Sequence, residues 1–204
     1  MIGQLRYQGI GERVLEAMLE VPREMFVPEQ VRDLAYEDTP LHIGHGQTIS
    51  APSMVGVMCD ILDIREDNNV LEVGTGCGYH AAVMSRLAGR GTVYTVERIP
   101  ELADRAKALL RELGYNNVIV IVGDGSEGLP DYAPYDRISV AAAAPKVPEP
   151  LAQELAEGGR MVVPVGKYMQ ELMLVEKKNG MITTYPRGGV AFVPLIGKEG
   201  FKGL

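Results

Sequence analysis

The sequence has no tryptophan, only two cysteines and no long apolar run. Cys59 and Cys77 are too few for a disulfide framework and form no Cys-x-x-Cys metal motif, which favours a reducing, intracellular home. No apolar run reaches the roughly 18 to 20 residues that a membrane helix needs, and the N-terminus lacks the basic and apolar regions of a signal peptide. We therefore expect a cytoplasmic protein that does not associate with membranes.

Positive charge is also scarce. Twenty Lys and Arg residues face 27 Asp and Glu residues, so the net charge is −7 at pH 7. Nonspecific binding of nucleic acid depends on clustered cations, so the charge disfavours a nucleic-acid partner. His42, His45 and His80 have no carboxylate or cysteine at ligand spacing, and we expect no metal site.

The sequence does contain enough apolar residues to form one hydrophobic core. It has 204 residues, of which 46% are hydrophobic, and this favours a single domain, 1–204. Residues 1–65 have helical patterns at 11–21 and 28–35 and from Pro52 to Leu62. This first region is therefore predicted to contain helices, together with a loop that contacts the substrate.

From residue 66 the pattern alternates between strand and helix. The predicted strands are 70–73, 92–96, 118–122, 136–141 and 160–165, and the predicted helices are a run after Gly78, 100–113 and 148–158. Alternation of this kind predicts a parallel sheet with right-handed crossovers. Because VIVIV at 118–122 does not alternate, that strand is predicted to be buried on both faces.

The tail, 168–204, has a different pattern. Two strand-like runs are separated by Lys178, Asn179 and Gly180, which indicates a hairpin and hence an antiparallel edge of the sheet. The fold class is therefore α/β: a mostly parallel central sheet with an antiparallel edge and an N-terminal helical extension. Asn-Gly is also a pair prone to isomerisation, and we hypothesise that it ages into a substrate for other copies of this chain.

Three loops follow the carboxyl ends of predicted strands, where open parallel sheets bind ligands. GTGCG at 74–78 follows the first strand, Glu97 ends the second, and Asp124 follows the third. Glycines permit close backbone approach, a carboxylate at Glu97 can accept from ribose hydroxyls, and Asp124 can accept from an adenine amino group. Together they favour an adenosine-containing ligand. NAD is disfavoured because G-x-G-x-x-G requires a glycine where the chain has Tyr79.

The stretch GHGQTISAPSMV, 44–55, has hydroxyls just before a proline-started helix. Thr48 and Ser50 could cap that helix by accepting a backbone hydrogen bond. They could equally contact a substrate, and the local pattern leaves both possibilities open.

Six motifs together resemble the protein L-isoaspartyl O-methyltransferase family. They are GHGQTISAP (44–52), VLEVGTGCGYHAAV (70–83), VERIPELA (96–103), NNVIVIVGDG (116–125), APYDRI (133–138) and FVPLIGKEGF (192–201). The resemblance implies a Rossmann-like class I fold that binds S-adenosyl-L-methionine (AdoMet). It also implies methylation of the free α-carboxyl group of L-isoaspartyl residues in damaged proteins and peptides, whose ester then collapses to a succinimide.

The resemblance also assigns residue roles. Ser50 would lie beside the accepting carboxylate. The cofactor-binding residues it implies are Gly74, Thr75, Gly76, Gly78, Glu97, Arg98, Asp124, Gly125 and Gln170. The substrate-binding residues it implies are Thr48, Ile49, Ser53, Val193, Pro194 and Leu195, with the terminal run either pairing with a peptide as an added strand or covering the core. Ser53 stands where the family often has His, so the contact made by that His is absent or is made by Ser53 or a nearby group.

Three alternatives remain at this point. The same fold and cofactor could serve a small-molecule or RNA acceptor, the domain could bind an adenosine ligand without catalysis, or the chain could be an NAD oxidoreductase. We expect an isoaspartyl-protein partner and a monomer.

Overall fold

A seven-stranded sheet forms the centre of the computed structural model, which describes residues 1–202. Gly203 and Leu204, the last two residues of the predicted domain, lie outside the described part. The sheet strands are β3 (Asn69–Val73), β4 (Thr92–Glu97), β5 (Val118–Val122), β6 (Tyr135–Val140), β7 (Leu155–Val165), β8 (Gln170–Lys178) and β9 (Met181–Val190). Their order is β5-β4-β3-β6-β7-β8-β9, parallel from β5 to β7 and antiparallel from there on. The α/β class and the antiparallel edge are confirmed.

Helices cover the sheet. They are α1 (Ile2–Tyr7), α2 (Glu12–Leu19), α3 (Pro52–Leu62), α4 (Tyr79–Leu87), α5 (Pro100–Glu112) and α6 (Glu149–Gln153), with short 3-10 turns at Arg23–Phe26, Glu29–Leu34, Gly125–Glu127 and Pro130–Tyr132. The predicted helix from Pro52 to Leu62 is confirmed at both ends. One buried cluster joins apolar side chains of α2, α3 and α4 to those of β3 and β4, so the N-terminal helices share the core of the sheet.

The N-terminal region also contains a small hairpin that the sequence patterns did not indicate. Strand β1 (Leu41–Gly44) pairs antiparallel with β2 (Gln47–Ile49). Leu41, Ile43 and Ile49 bury their side chains, which anchors this hairpin on the core. Residues 1–65 therefore combine helices with this hairpin.

Three further predictions need correction. Val118–Val122 is an outer strand of the sheet, not one buried on both faces, and the side chains of Ile119 and Val122 are 40% and 52% exposed. Helix α6 ends at Gln153, and the chain continues as β7 from Leu155, so the predicted helix 148–158 is too long and the predicted strand 160–165 too short.

The order of the strands places the ligand crevice. Strand β3 pairs with β4 on one side and β6 on the other, so the chain runs outward from β3 through β4 and β5 and then crosses back to the opposite side of β3. In a parallel sheet such a switch point opens a crevice past the carboxyl ends of the strands. The segments that follow β3, β4, β5 and β6 meet there.

Candidate active site

A pocket of about 810 Å³ opens at this switch point, and it is open to solvent on one side. The β2–α3 segment contributes Thr48, Ile49 and Ser50, and the loop after β3 contributes Gly74, Thr75 and Gly76. Other predicted residues that line it are Glu97, Arg98, Gly125, Val193, Pro194 and Leu195.

The structure answers whether the hydroxyls before α3 cap that helix. The N-cap residue is Ala51, no side chain of the cap accepts a helix hydrogen bond, and Pro52 occupies the first turn. Ser50 and Thr48 line the pocket instead. The capping interpretation is therefore wrong for both.

The cap of α3 comes from a distant carboxylate. Asp38 Oδ1 accepts from the backbone N–H of Ser53 at 2.8 Å. Burial alone would raise the pKa of Asp38, but its hydrogen bonds with Ser53 and Gln8 and the charge of Arg23 together outweigh this and lower the pKa. Ser53 therefore lies at the helix start against Asp38, and it does not line the pocket.

A buried arginine holds the Ser50 segment from behind. Arg23 has no exposed surface, and its Nη2 donates to the carbonyl of Ser50 at 2.7 Å while its Nε donates to that of Ala35 at 2.7 Å. The guanidinium lies 4.7 Å from the centre of the Tyr79 ring, and Nη1 has no hydrogen-bond partner among the described residues. A guanidinium stays charged at any physiological pH, so Arg23 places a positive charge directly behind the loop.

The glycine loop after β3 is shaped by Glu97. Gly74 and Gly76 have φ of 97° and 54°, and such values favour glycine. The backbone N–H of Gly76 donates to Glu97 Oε2 at 2.9 Å, and Ile99 donates to Oε1 at 3.0 Å. Each oxygen of this carboxylate keeps a second lone pair for a ligand.

Gly78 has a packing role. It is the N-cap residue of α4 with φ of 90°, and it does not line the pocket. A Cβ at this position would lie 3.1 Å from Leu110 Cδ1, so glycine lets α4 and α5 approach closely.

The floor of the pocket contains a chain of buried polar side chains, of which the predicted site included only Thr75. Thr95 Oγ1 donates to Glu72 Oε2 at 2.5 Å, and Thr75 Oγ1 lies 2.6 Å from Thr95 Oγ1. Glu72 Oε1 has no hydrogen-bond partner among the described residues and lies 3.6 Å from His80 Nδ1. On its other side His80 Nε2 meets Cys59 Sγ at 3.4 Å.

Burial decides the protonation of this chain. It raises the pKa of Glu72 to about 8 and lowers the pKa of His80 to about 4. At pH 7 the carboxyl is therefore mostly protonated and the imidazole neutral. The signal was present in the sequence, since an acidic residue interrupts the apolar run VLEV.

Asp124 lies beside the pocket and is largely occupied. Its Oδ1 accepts from Ser126 N at 3.0 Å and from Ser126 Oγ at 2.7 Å, and its Oδ2 accepts from Lys198 N at 2.7 Å. A carboxylate has about four acceptor sites, so about one remains for an adenine amino group. The neighbouring Gly125 does line the pocket, and a Cβ there would lie 2.7 Å from Val73 Cγ1.

The terminal run is fixed on both sides. Ala143 N donates to Val193 O and Leu195 N donates to Ala143 O, each at 2.8 Å. On the opposite side, Gln170 Nε2 donates to Phe192 O at 3.0 Å and Gln170 Oε1 accepts from Phe192 N at 2.6 Å. Gln170 thus clamps the run and does not line the pocket.

Metal and membrane features are absent from the described residues 1–202. No group of three or more His, Cys, Asp or Glu side chains there could hold a metal ion. None of the helices in that part is both long and apolar enough to cross a bilayer.

Similarity to known proteins is strong along nearly the whole chain. The family model for protein-L-isoaspartate(D-aspartate) O-methyltransferase matches residues 1–200. A protein-L-isoaspartate O-methyltransferase of Methanocella arvoryzae is 70% identical over 187 residues, covering 91% of this chain and 100% of that protein.

Solved structures agree. One, of a protein-L-isoaspartate O-methyltransferase, superposes with a TM-score of 0.89 at 33% identity, covering 97% of this chain and 65% of that one. A Plasmodium falciparum structure described as a beta-aspartate methyltransferase in complex with S-adenosyl-L-homocysteine has a TM-score of 0.86 at 28% identity, covering 96% of each chain.

Proposed function

Because the chain belongs to the protein-L-isoaspartate(D-aspartate) O-methyltransferase family, we propose that its pocket holds AdoMet against an isoaspartyl carboxylate at Ser50. The enzyme transfers a methyl group from AdoMet to the free α-carboxyl group of L-isoaspartyl residues in damaged proteins and peptides.

The donor half of the pocket fits AdoMet. Gly74, Thr75 and Gly76 supply a loop of free backbone, and Glu97 supplies lone pairs for the ribose hydroxyls. Glu72 Oε1 is buried and has no hydrogen-bond partner among residues 1–202, and an ammonium group such as that of the AdoMet methionine portion satisfies such an oxygen. Arg98 and Gly125 complete the donor lining, and the last acceptor site of Asp124 would take the adenine amino group.

The acceptor half is the Ser50 segment with the terminal run opposite. Ser50 would donate its hydroxyl hydrogen to the accepting carboxylate, with Thr48 and Ile49 beside it. The carbonyl of Ser50 is fixed by Arg23, whose charge attracts an anion to this side of the pocket. We propose Arg23 as a positioning residue for that reason.

Isoaspartate differs from aspartate in its main chain, so the enzyme has to bind the substrate through the peptide backbone. The run Val193 to Leu195 lies at the pocket. It is held extended by its hydrogen bonds to Ala143 and by those of the preceding Phe192 to Gln170. These bonds leave little backbone free, and Pro194 has no N–H. The run therefore acts as a preformed wall with the carbonyl of Pro194 available, rather than as a full partner strand.

The chemistry requires orientation more than proton transfer. AdoMet supplies, when bound, an electrophilic methyl group on sulfur. A carboxylate with a reference pKa near 4 is already ionised at neutral pH, so no residue has to act as a strong base. Holding the acceptor in line can contribute about 7–11 kcal/mol through proximity and orientation. The ester then collapses to a succinimide without further help from the enzyme.

We further propose that residues 1–65, 66–167 and 168–204 act as one catalytic unit, working as a monomer in the cytoplasm. The hydrophobic cluster shared by the N-terminal helices and the sheet supports the unit. The acidic balance argues against nucleic acid as acceptor.

The observation that carries this proposal is that one pocket is lined by both Ser50 and Glu72, whose Oε1 has no hydrogen-bond partner among the described residues. The experiment compares transfer of labelled methyl groups to an isoaspartyl peptide and to the same peptide with ordinary aspartate. Transfer to the first alone is expected. Equal transfer to both, or to neither, would refute the acceptor assignment.

A further inference from the structure

The hairpin turn between β8 and β9 contains the chain's Asn-Gly pair, Asn179–Gly180. Both residues have positive φ, 53° and 72°, as a two-residue turn of the I′ type requires. Asn-Gly is a preferred sequence for such a turn. It is also a pair open to attack of the glycine nitrogen on the asparagine side chain, because glycine has no side chain to shield that nitrogen. The geometry that closes the hairpin thus places a damage-prone bond on the surface.

Glu157 contacts this turn from the neighbouring strand. Its Oε1 accepts from the backbone N–H of Asn179, and its Oε2 accepts from the backbone N–H of Gly180 at 3.1 Å. The register explains the contact. Arg160 on β7 lies opposite Glu176 on β8, and because the two strands are antiparallel, Glu157 is level with Asn179. The early start of β7 at Leu155 brings Glu157 there.

We propose that Glu157 protects the Asn179–Gly180 turn from isomerisation by holding the attacking nitrogen. In the damage reaction a base removes the proton from Gly180 N, that nitrogen bonds to Asn179 Cγ, and the Cγ–Nδ2 bond breaks with release of ammonia. Water then opens the succinimide at one carbonyl or the other, giving isoaspartate or aspartate at 179.

Two physical effects oppose the first step. The N–H of Gly180 must leave Glu157 before the nitrogen can reach Asn179 Cγ, so the reaction has to break the hydrogen bond between Gly180 and Glu157. A carboxylate next to the N–H also disfavours the nitrogen anion, because like charges repel. The hydrogen bonds from Gly180 and Asn179 lower the pKa of Glu157, so the carboxylate is ionised at neutral and alkaline pH, where the nitrogen anion forms.

The test measures ammonia release and the mass of the peptide containing residue 179 during incubation of the folded protein at mildly alkaline pH. Glu157→Ala should isomerise roughly two- to fivefold faster than the unaltered protein, a modest ratio because the contact is exposed to solvent. Glu157→Gln keeps the size and one acceptor oxygen but loses the charge, and it should fall between the two.

Glu171→Ala is the matched control, since Glu171 is an exposed glutamate on β8 away from the turn. Its rate should equal that of the unaltered protein. Equal rates for Glu157→Ala and Glu171→Ala, with thermal unfolding unchanged in both, would overturn the proposal. None of these readouts depends on methyl transfer, so the result stands apart from the proposed function.

Discussion

At the scale of single residues, the site combines a hydroxyl group that would orient the substrate carboxylate with a carboxyl group whose protonation would change when AdoMet binds. Ser50 gains its position from Arg23, and Glu72 gains its high pKa from burial. Neither feature follows from residue type alone. A serine before Ala-Pro is locally a good cap, and only the hydrogen bonds around it show that the cap is Asp38 acting on Ser53.

Replacing Ser50 with alanine should lower kcat by roughly 10- to 100-fold, because a hydrogen bond to a charged group contributes about 1.5–3 kcal/mol. AdoMet affinity should change little if the hydroxyl serves the acceptor. Steady-state rates with an isoaspartyl peptide and calorimetric titration with AdoMet separate the two effects. Thr183→Ala, an exposed hydroxyl on β9, is the control. An unchanged kcat would remove Ser50 from the reaction.

Glu72 makes AdoMet binding depend on pH. The carboxyl has a pKa of about 8 in the free protein, and a bound cation would favour its ionised form and so release a proton. The affinity for AdoMet should therefore rise between roughly pH 6 and pH 7.5, by at most about tenfold per pH unit. The α-amino group of AdoMet is still mostly charged in this range.

Glu72→Gln removes the titrating group and should give nearly flat affinity over the same range. Calorimetry in two buffers of different ionisation enthalpy measures the proton release directly. Release of no proton by the unaltered protein at pH 7 would contradict the contact between Glu72 and the ammonium group.

At the scale of elements, the strands and helices that are long enough to display their hydrophobic periodicity could be predicted from the sequence. The helix Pro52–Leu62 and the Asn-Gly hairpin are confirmed because proline and the turn pair mark them locally. The β1–β2 hairpin was missed because strands of four and three residues are too short to display alternation. The burial of β5 was misjudged because its place at an outer position of the sheet is set by pairing, which VIVIV does not encode.

The same limit applies to the site. Residues adjacent to strand ends, such as Glu97, were located correctly in the crevice, because parallel strands bring their carboxyl ends to one edge. Gln170 and Asp124 are different, since each is engaged by a distant part of the chain. Such long-range partners leave no local pattern.

Gln170 offers a direct test of its clamp. Gln170→Leu removes two hydrogen bonds to Phe192 and should loosen the run Val193 to Leu195, raising the KM for an isoaspartyl peptide by roughly tenfold. The Kd for AdoMet should change by less than about twofold.

Gln153→Leu, on the exposed side of α6, serves as the control for adding an apolar side chain. If the Kd for AdoMet weakens as much as the peptide KM, Gln170 contacts the cofactor, as the family resemblance implies, and the clamp is not its main role.

At the scale of the whole molecule, both ends of the chain converge on one edge of the sheet. The N-terminal region supplies the Ser50 segment, the tail supplies Val193 to Leu195, and the central strands supply the donor loops between them. The pocket therefore depends on contacts between segments far apart in sequence. Loss of either end should abolish peptide methylation.

The aged turn should be labelled by AdoMet only through encounters between molecules. Protein with Glu157→Ala, aged and then mixed with increasing amounts of fresh unaltered enzyme, should take up label at 179 at a rate proportional to the fresh enzyme. Peptide mapping locates the label. Label per molecule that stays constant when the aged sample alone is diluted would contradict this expectation.

The length of β7 explains why labelling of the turn requires a second molecule. Glu157 and Val165 lie eight positions apart on this strand, roughly 26 Å at about 3.3 Å per residue, and the pocket lies past the carboxyl end. A molecule cannot bring its own turn to its own active site. Repair of this turn therefore depends on protein concentration. A dilute sample stops repairing residue 179 while each molecule is still active, and a concentrated sample continues to repair it.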